Sequence, residues 1–194
     1  MRQNTAEQGS AIMQQLTKAH IVESFNELLR EYPFEKITAK MIIDRAGVSK
    51  STFYRFFLDK HDVLYYNYKN NIDNWVKKQG CTNWKELFVC VYASSLSDHA
   101  REKNAFAYTG ADSYFHILYR YSYELVEMVT EDNRGPGTKL ERDEKTQLSF
   151  FCYGLVHCYA DWVQGKFDYT PEEMAERMYQ EMPAYFRDLW WKTI

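Results

Sequence analysis

Apolar residues recur along most of this chain every three or four positions, and this spacing predicts amphipathic α-helices. Ile21, Phe25 and Leu28 form one such face, in a helix that we expect to begin at Thr17 and to end before Pro33. The alternation of apolar and polar residues that marks a β-strand is scarce throughout the chain. The pattern therefore predicts an all-α fold.

Three further helices follow closely on the first one. The second is predicted to start at Thr38 and to stop at Gly47, because glycine permits the left-handed backbone of a tight turn. The third should start at the N-cap Ser49, and the fourth should run from Asp59 to about Lys78. Two short helices joined by a glycine turn predict a helix-turn-helix.

The remainder of the chain also predicts helices, with one clear loop at residues 133–138. A long helix should run from about Asp143 to Gln164. The last helix is predicted to start at Thr170, which is followed by a proline and two glutamates, and to continue toward Trp190.

Composition agrees with a soluble helical protein, because 45 % of the 194 residues are hydrophobic and 26 % are charged. Aromatic residues make up 17 % of the chain, enough for a large core and an aromatic-lined cavity. The net charge is −3, but residues 1–60 carry nine Lys and Arg against seven Asp and Glu. A polyanionic partner should therefore bind at the N-terminal end.

The four cysteines are too few for a disulfide scaffold, and none forms a CxxC pair. The polar start of the chain does not resemble a signal peptide, and no window is apolar enough for a membrane span. We therefore expect a reducing, cytoplasmic location and no membrane association.

The third helix has the chemistry of a DNA-recognition helix. Phe53 and Phe57 lie four positions apart and should anchor it, while polar side chains occupy its other faces. Candidate DNA contacts are Thr38, Lys50, Ser51, Thr52, Tyr54, Arg55 and Lys60. The alternative is an ordinary helical core with solvated charges, since glycine between short helices is common in helical proteins.

The segment ITAKMIIDRAGVSKSTFYRFFLDKHDVL resembles the DNA-binding domain of the TetR family of bacterial transcriptional regulators. The resemblance covers about residues 17–64 and implies DNA contacts from the same seven residues. Ser51, Ile43 and Phe56 depart from the family pattern, which often has Gly, Ala and His there. Phe56 has no polar group to offer to DNA, and the operator sequence does not follow from the pattern.

The resemblance divides the chain into three parts. Residues 1–16 form a flexible lead-in, residues 17–64 form the three-helix DNA-binding domain, and residues 65–194 form a larger helical domain for regulation and dimerisation. We expect no enzyme activity, no cofactor and no metal. His157 and Asp161 lie four positions apart with Cys158 adjacent, a spacing compatible with a metal site, but no HExxH or paired-Cys motif accompanies them.

The predicted helix at 143–164 is apolar almost all round, so one neighbour in its own subunit does not suffice to cover it. A symmetric partner would cover the rest, and the alternative is a central helix in a monomeric bundle. The predicted homodimer interface comprises Phe151, Gly154, Leu155, Cys158, Trp162, Met178 and Met182.

A small-molecule pocket would lie between Trp84 and Met128 in this family. Its candidate lining residues are Phe88, Tyr92, Phe106, Tyr114, His116, Tyr119 and Tyr123, although core packing would also explain them. The resemblance implies a repressor that binds a palindromic DNA operator as a homodimer and is released by a small-molecule effector. The alternatives are a TetR-like regulator that responds to a protein partner or activates, and a helical enzyme or metal-binding protein.

Overall fold

The computed structural model describes residues 2–107, 110 and 113–192, with residues 2–8 described by their backbone alone. The described residues form ten α-helices, one short 3₁₀ turn at Phe34–Lys36 and no strand, which confirms the predicted all-α fold. The helices are α1 (Arg2–Glu31), α2 (Ala39–Ala46), α3 (Lys50–Phe56), α4 (Lys60–Lys77), α5 (Trp84–Ser97), α6 (His99–Ala105), α7 (Tyr114–Arg134), α8 (Arg142–Val163), α9 (Pro171–Glu181) and α10 (Ala184–Arg187).

The predicted N-caps begin their helices as the sequence indicated. Side chains of Thr38, Ser49 and Asp59 accept hydrogen bonds from the first backbone amides of α2, α3 and α4. The Thr170 hydroxyl accepts the Glu173 amide at the start of α9. The Thr170 amide in turn donates to the Glu173 carboxylate, which completes a capping box. These helix starts depend on residues within one turn, so the sequence alone predicts them.

The start of α1 differs from the prediction. The helix begins at Arg2, so residues 2–16, predicted as a flexible lead-in, are helical. Thr17 is not an N-cap, because its hydroxyl donates to the Met13 carbonyl oxygen at 2.8 Å, inside the helix. Ile12 and Leu16 are more than half exposed. Residues 9–16 are exposed, so helix-forming residues such as Ala11, Met13 and Gln14 extend this part of α1 without packing against the core.

The C-terminal end also differs from the prediction of one helix running toward Trp190. The α9 helix stops at Glu181, because Pro183 cannot continue it, and α10 follows as a separate single turn. The chain then folds back, and the Trp190 ring packs edge-to-face against the Trp84 ring, with the ring centroids 5.2 Å apart. The Trp84 indole donates to the Phe186 carbonyl oxygen, which holds this end against α5.

One continuous core runs through the described part of the molecule. At the N-terminal end, α1 packs on α2 and α4 around Phe25, Phe34, Ile42 and Phe53, all fully buried. Behind it, α5 packs on α9 and α7 packs on α8. The second half of α1 also lies along α6, so the helix-turn-helix is connected directly to the larger helical region.

Candidate nucleic-acid interface

The turn between α2 and α3 is built on Gly47. Its φ of 60° is left-handed, and its amide donates to the Asp44 carbonyl oxygen at the end of α2. The Val48 amide donates to the Ile43 carbonyl oxygen, which closes the turn. Any residue with a side chain would be strained at this φ, so the turn that orients α3 depends on the glycine.

The first turn of α3 carries a cluster of hydroxyl groups. Ser49 Oγ accepts the Thr52 amide at 3.0 Å and lies 2.9 Å from Ser51 Oγ and 2.8 Å from Thr52 Oγ1. Ser51 is exposed and Thr52 is half-buried. The N-cap therefore also fixes the positions of the two neighbouring hydroxyls that were predicted to contact DNA.

The outward face of α3 is polar and basic, as predicted. Phe53 is fully buried on the opposite face, whereas Lys50, Tyr54 and Arg55 are exposed. Lys50 Nζ lies 5.9 Å from the centroid of the Tyr54 ring. Across the described residues, no carboxylate lies within ion-pairing distance of Lys50 or Arg55. Thr38 is also exposed, although its hydroxyl is used as the cap of α2.

Lys60 is placed differently from the other predicted DNA contacts. Its ammonium donates to the carbonyl oxygens of Phe34 at 2.8 Å and Glu35 at 3.2 Å, and lies 4.5 Å from the Phe34 ring centroid. Burial lowers the pKa of this ammonium from its ordinary value. In this structure Lys60 ties the start of α4 to the 3₁₀ turn, and its DNA contact stays a prediction.

The structure gives Phe56 a role that the sequence did not. Phe56 is half-buried against the core, and the Arg55 guanidinium lies 4.8 Å from its ring centroid. A cation over an aromatic ring is attracted to its face. Phe56 therefore supports Arg55 on the outward face of α3 and makes no polar contact of its own.

The predicted pocket residues do not all meet in one place. Phe88 and Tyr92 line an internal cavity of about 50 Å³ between α4, α5, α7 and α8. The Tyr92 hydroxyl is buried and has no hydrogen-bond partner among the described residues, and burial raises its pKa. His116 and Tyr119 line a separate surface cleft of about 220 Å³ between α7 and α8.

The other three predicted pocket residues pack elsewhere. The buried Tyr114 hydroxyl donates to a Glu102 carboxylate oxygen at 3.3 Å, and the Phe106 ring packs 4.7 Å from the Tyr114 ring. Tyr123 lies beside Tyr119, with ring centroids 6.2 Å apart. These side chains belong to the packed interior or to the surface of α7, and they line neither of the two pockets described above.

A groove of about 440 Å³ runs between α8 and α9 and brings together five of the seven predicted interface residues. Gly154 is exposed, and a Cβ added there would meet no atom of the described residues within 4 Å. Phe150, which lies outside the predicted interface set, is 77 % exposed and lines the same groove, and Tyr153 is 55 % exposed. The predicted interface residues in the groove are Phe151, Gly154, Leu155, Cys158 and Met178.

The remaining two predicted interface residues are buried within this chain. The Trp162 indole donates to the Tyr169 carbonyl oxygen at 2.8 Å, and Met182 is fully buried. Both side chains help to pack α8 and α9 against the rest of the chain. The exposed apolar surface of α8 therefore lies closer to its N-terminal half than the sequence pattern indicated.

The described residues contain no group of three potential metal ligands. Asp161, considered with His157 and Cys158, instead forms an ion pair with Lys166 at 2.7 Å. None of the described helices combines the length and apolarity needed to cross a bilayer.

Polar contacts connect the helix-turn-helix to the larger helical region, which sequence reasoning missed. Arg30 at the end of α1 donates to both Asp98 oxygens, at 2.9 and 3.1 Å. The Asn104 amide of α6 donates to the Leu29 carbonyl oxygen at 2.8 Å. These partners lie about seventy positions apart in sequence, so no local sequence pattern predicts these hydrogen bonds.

The network continues into the interior through Glu102, which is 4 % exposed. Its carboxylate pairs with Arg101 at 2.7 Å and accepts the Tyr159 hydroxyl at 3.0 Å. Ser95 of α5 also bonds to the Tyr159 hydroxyl. Arg101 also pairs with Asp98 at 3.7 Å, so a polar path runs from Arg30 at the end of α1 through α6 to Tyr159 of α8.

A second missed feature is the contact between Cys81 and Cys90, whose sulfur atoms lie 3.5 Å apart. Cys81 follows the turn at Gly80, and Cys90 lies in the second turn of α5. Their separation of nine positions matches no common cysteine motif. Only the fold of the α4–α5 turn brings the two thiols together.

Comparison with known proteins agrees with this geometry. A family profile described as "Bacterial regulatory proteins, tetR family" matches residues 21–65, and one described as "Transcriptional regulator C-terminal region" matches residues 82–183, more than half of the chain. A search of curated proteins found no match.

Two solved structures share the fold. One is titled "Dihydroxyacetone kinase operon activator DhaS", with 11 % identity, a TM-score of 0.57, and coverage of 89 % of this chain and 97 % of that one. The other is the fatty acid degradation regulator FadR from Bacillus halodurans, with 18 % identity, a TM-score of 0.53, and coverage of 86 % and 94 %. The profiles carry the assignment: the chain belongs to the TetR family of DNA-binding transcriptional regulators.

Proposed function

We propose that the chain binds a palindromic DNA operator as a homodimer and represses transcription from it. The observation that carries this proposal is the outward face of α3, where Lys50 and Arg55 carry charges that no described carboxylate neutralises. Cations supply the phosphate contacts that dominate affinity for DNA, and hydroxyl groups can read base edges. Thr38, Ser51, Thr52 and Tyr54 supply those hydroxyls, and Lys60 borders them.

Other basic residues of the helix-turn-helix are less free to contact DNA. The Arg45 guanidinium donates to both Glu31 oxygens, at 2.9 and 2.8 Å, and Lys40 pairs with Asp44 at 2.5 Å. Lys50 and Arg55 of α3 thus remain as exposed cations that form no ion pair among the described residues. This distribution supports α3 as the helix that enters the major groove.

A dimer would join two such helices. The exposed Phe150, Tyr153 and Gly154 give α8 an apolar face with room for a second helix to approach. Contiguous apolar surface of this kind marks a protein–protein interface. Two recognition helices about 34 Å apart would then read two half-sites of a palindrome.

Release by a small-molecule effector is the regulatory part of the proposal. Tyr92 lines the internal cavity, and its buried hydroxyl, which has no hydrogen-bond partner among the described residues, would bond to a polar group of an effector that reached it. The path from Glu102 through α6 to Arg30 would transmit a shift of the interior to α1. An effector acts only if it binds the released form more tightly than the DNA-bound form.

A second candidate function has one specific observation in its favour. The internal cavity holds only about 50 Å³, whereas pockets for small molecules usually measure ~300–1,000 Å³. A filled interior favours a regulator that responds to a protein partner, or that activates, without a small effector. One of the similar structures is named as an operon activator.

Operator binding is tested with duplexes selected from a random library by the full-length protein. Lys50→Ala should weaken binding roughly tenfold and reduce the slope of log K against log salt by about one. Tyr54→Phe should also weaken binding, because it removes the hydroxyl that would contact DNA. The aromatic ring stays in place. Lys139→Ala, at an exposed lysine in the loop between α7 and α8, is the matched control and should change neither quantity. Unchanged affinity in both α3 variants would remove α3 from the interface.

The two regulatory candidates are separated by Tyr92→Phe. Under the effector mechanism, a compound that releases wild-type protein from DNA should release the Tyr92→Phe protein only at higher concentration. Under the second candidate, no compound in a broad metabolite panel releases the wild-type protein. Operator affinity without compound serves as the control and should be equal for both proteins.

A further inference from the structure

We propose that Cys81 and Cys90 form an oxidisable dithiol, which a peroxide converts to an intramolecular disulfide. Their Sγ atoms are 3.5 Å apart, a van der Waals contact between two free thiols. A disulfide bond measures about 2.05 Å, so bond formation requires a sulfur displacement of roughly 1.5 Å. Rotation of the two side chains supplies a movement of this size without refolding the turn.

The two thiols are also accessible to a small oxidant. Both line an open pocket of about 500 Å³ formed by the α4–α5 turn and the first turns of α5. Cys90 is half-buried, whereas Cys81 is only 6 % exposed. By contrast, Cys152 is fully buried in α8, and nothing places its sulfur beside another thiol.

Exposure assigns the order of the two steps. The thiolate of Cys90 attacks one oxygen of hydrogen peroxide, which breaks the O–O bond, forms the sulfenic acid and releases one water. The Cys81 sulfur then attacks the Cys90 sulfur, forms the S–S bond and releases the second water. Two thiols lose two electrons and two protons, and one peroxide is reduced to two waters. Burial and the contact with Cys90 raise the pKa of Cys81 to about 12, so Cys81 is almost entirely protonated at neutral pH and is not the thiol that attacks peroxide first.

A disulfide between Cys81 and Cys90 would have a structural effect, because it lies at the turn between α4 and α5. The Cys81 amide donates to the Trp75 carbonyl oxygen in the last turns of α4, so Cys81 is already fixed to the end of that helix. Cys90 belongs to α5, which packs on α9. The disulfide would therefore tie the end of α4 to α5 covalently. This inference does not depend on operator binding.

The test uses the full-length wild-type protein, reduced and then freed of reductant. Limited hydrogen peroxide is added, remaining thiols are alkylated, and tryptic peptides are analysed by mass spectrometry. Cleavage at Lys78, Lys85 and Arg101 places the two cysteines on separate peptides, so the disulfide links residues 79–85 to residues 86–101. We expect this linked pair, a mass loss of about 2 Da, and a fall from four alkylated thiols to two. Dithiothreitol should restore all four.

Single variants test the order of the steps and supply the control. With Cys81→Ser, the sulfenic acid at Cys90 has no resolving thiol and should be trapped by dimedone. With Cys90→Ser, Cys81 should remain unlabelled at the same peroxide dose. Cys158→Ser changes a half-buried cysteine of α8 and should leave the 79–85 to 86–101 link intact.

The wild-type peptide map decides the proposal even if a serine variant folds poorly. A linked pair that contains Cys152 or Cys158, or a disulfide between two subunits, would overturn it. Oxidation of Cys90 to the sulfinic acid, with no linked peptide at any dose, would overturn it as well.

Discussion

The recognition helix α3 and the long helix α8 both leave a large surface uncovered, but of opposite kinds. The seven residues of α3 bury Phe53 and expose hydroxyls and cations. The twenty-two residues of α8 bury a wide apolar face and still expose Phe150 and Tyr153. One helix exposes groups that water solvates well, and the other exposes rings that water does not.

The chemistry of each surface indicates which partner it fits. Exposed cations lose little by remaining in water and gain by meeting phosphates, so the α3 face suits DNA. An exposed phenylalanine gains only by being covered with apolar surface, which a second copy of α8 would supply in the proposed dimer. The two surfaces can therefore be changed independently.

The largest effect should come from Phe53→Ala. Phe53 is fully buried, and its ring centroid lies 6.0 Å from that of Phe57. Truncation therefore leaves a cavity in the small N-terminal core. We expect a loss of about 3–5 kcal/mol in the free energy of unfolding and loss of DNA binding. Chemical denaturation followed by circular dichroism measures the loss, and light scattering should still find the α8 association.

Phe56→Ala is the matched control for that substitution. Phe56 is half-buried and supports Arg55, so its truncation should cost clearly less stability than Phe53→Ala. An equal cost for the two phenylalanines would mean that α3 does not have one buried and one outward face.

The second effect concerns α8 alone. Phe150→Glu places a charge on the exposed apolar face, and we expect dimer dissociation to become easier by at least ~2 kcal/mol. Sedimentation should show monomer at concentrations where the wild type is a dimer, with the helix-turn-helix intact. Met128→Glu, at a half-exposed residue of α7, is the control and should not change the mass. A variant Phe150→Glu that sediments like the wild type would place the interface elsewhere.

Local residues determine most of what the sequence could predict in α3. The N-cap Ser49, the turn at Gly47 and the i, i+4 pair of Phe53 and Phe57 all act within one or two turns. Their geometry follows from spacing alone. The same holds for the capping box at Thr170 and for the all-α class.

Contacts between distant segments account for the rest. Lys60 was expected on the DNA side, but its ammonium reaches the Phe34 and Glu35 carbonyls, twenty-five and more positions away. The sulfur atoms of Cys81 and Cys90 meet only because the α4–α5 turn folds back. A helical pattern predicts which face is apolar, but it does not say which neighbour covers it.

A similar limit applies to the pocket. The aromatic residues predicted to line one cavity alternate between helix faces, so Phe88 and Tyr92 face the interior while His116 lies in a surface cleft. Core and cavity walls use the same residue types. Composition could therefore predict an aromatic interior but could not identify the few residues that border its free space.

The N-caps of α3 and α9 offer a finer test of the difference between the two regions. Ser49→Ala removes the acceptor for the Thr52 amide and should cost about 1 kcal/mol of stability. It also frees the hydroxyls of Ser51 and Thr52, so operator affinity should fall more than stability alone explains. Thr170→Ala removes the corresponding cap of α9 and is the matched control. Equal operator affinity for the two variants would contradict an ordered role for the α3 hydroxyl cluster.

The smallest effect should come from Glu144→Gln in the first turn of α8. The Glu144 carboxylate accepts the Glu141 amide at 2.9 Å and pairs with Arg134 at 2.7 Å. Desolvation opposes its charge, but these two donors outweigh it and hold the pKa of Glu144 below its ordinary value of 4.5.

A carboxyl group with a lowered folded-state pKa stabilises the fold above its ordinary pKa, and this contribution is lost as the pH falls through the folded-state value. Glu144→Gln should therefore cost about 0.5–1 kcal/mol at pH 7 and progressively less on acidification below about pH 4.5. Urea denaturation across that range measures the difference. Glu172→Gln, at an exposed acid of α9 that forms no ion pair among the described residues, is the control and should cost less stability at pH 7. A pH-independent cost for Glu144→Gln would mean that its hydrogen bonds, and not its charge, stabilise the start of α8.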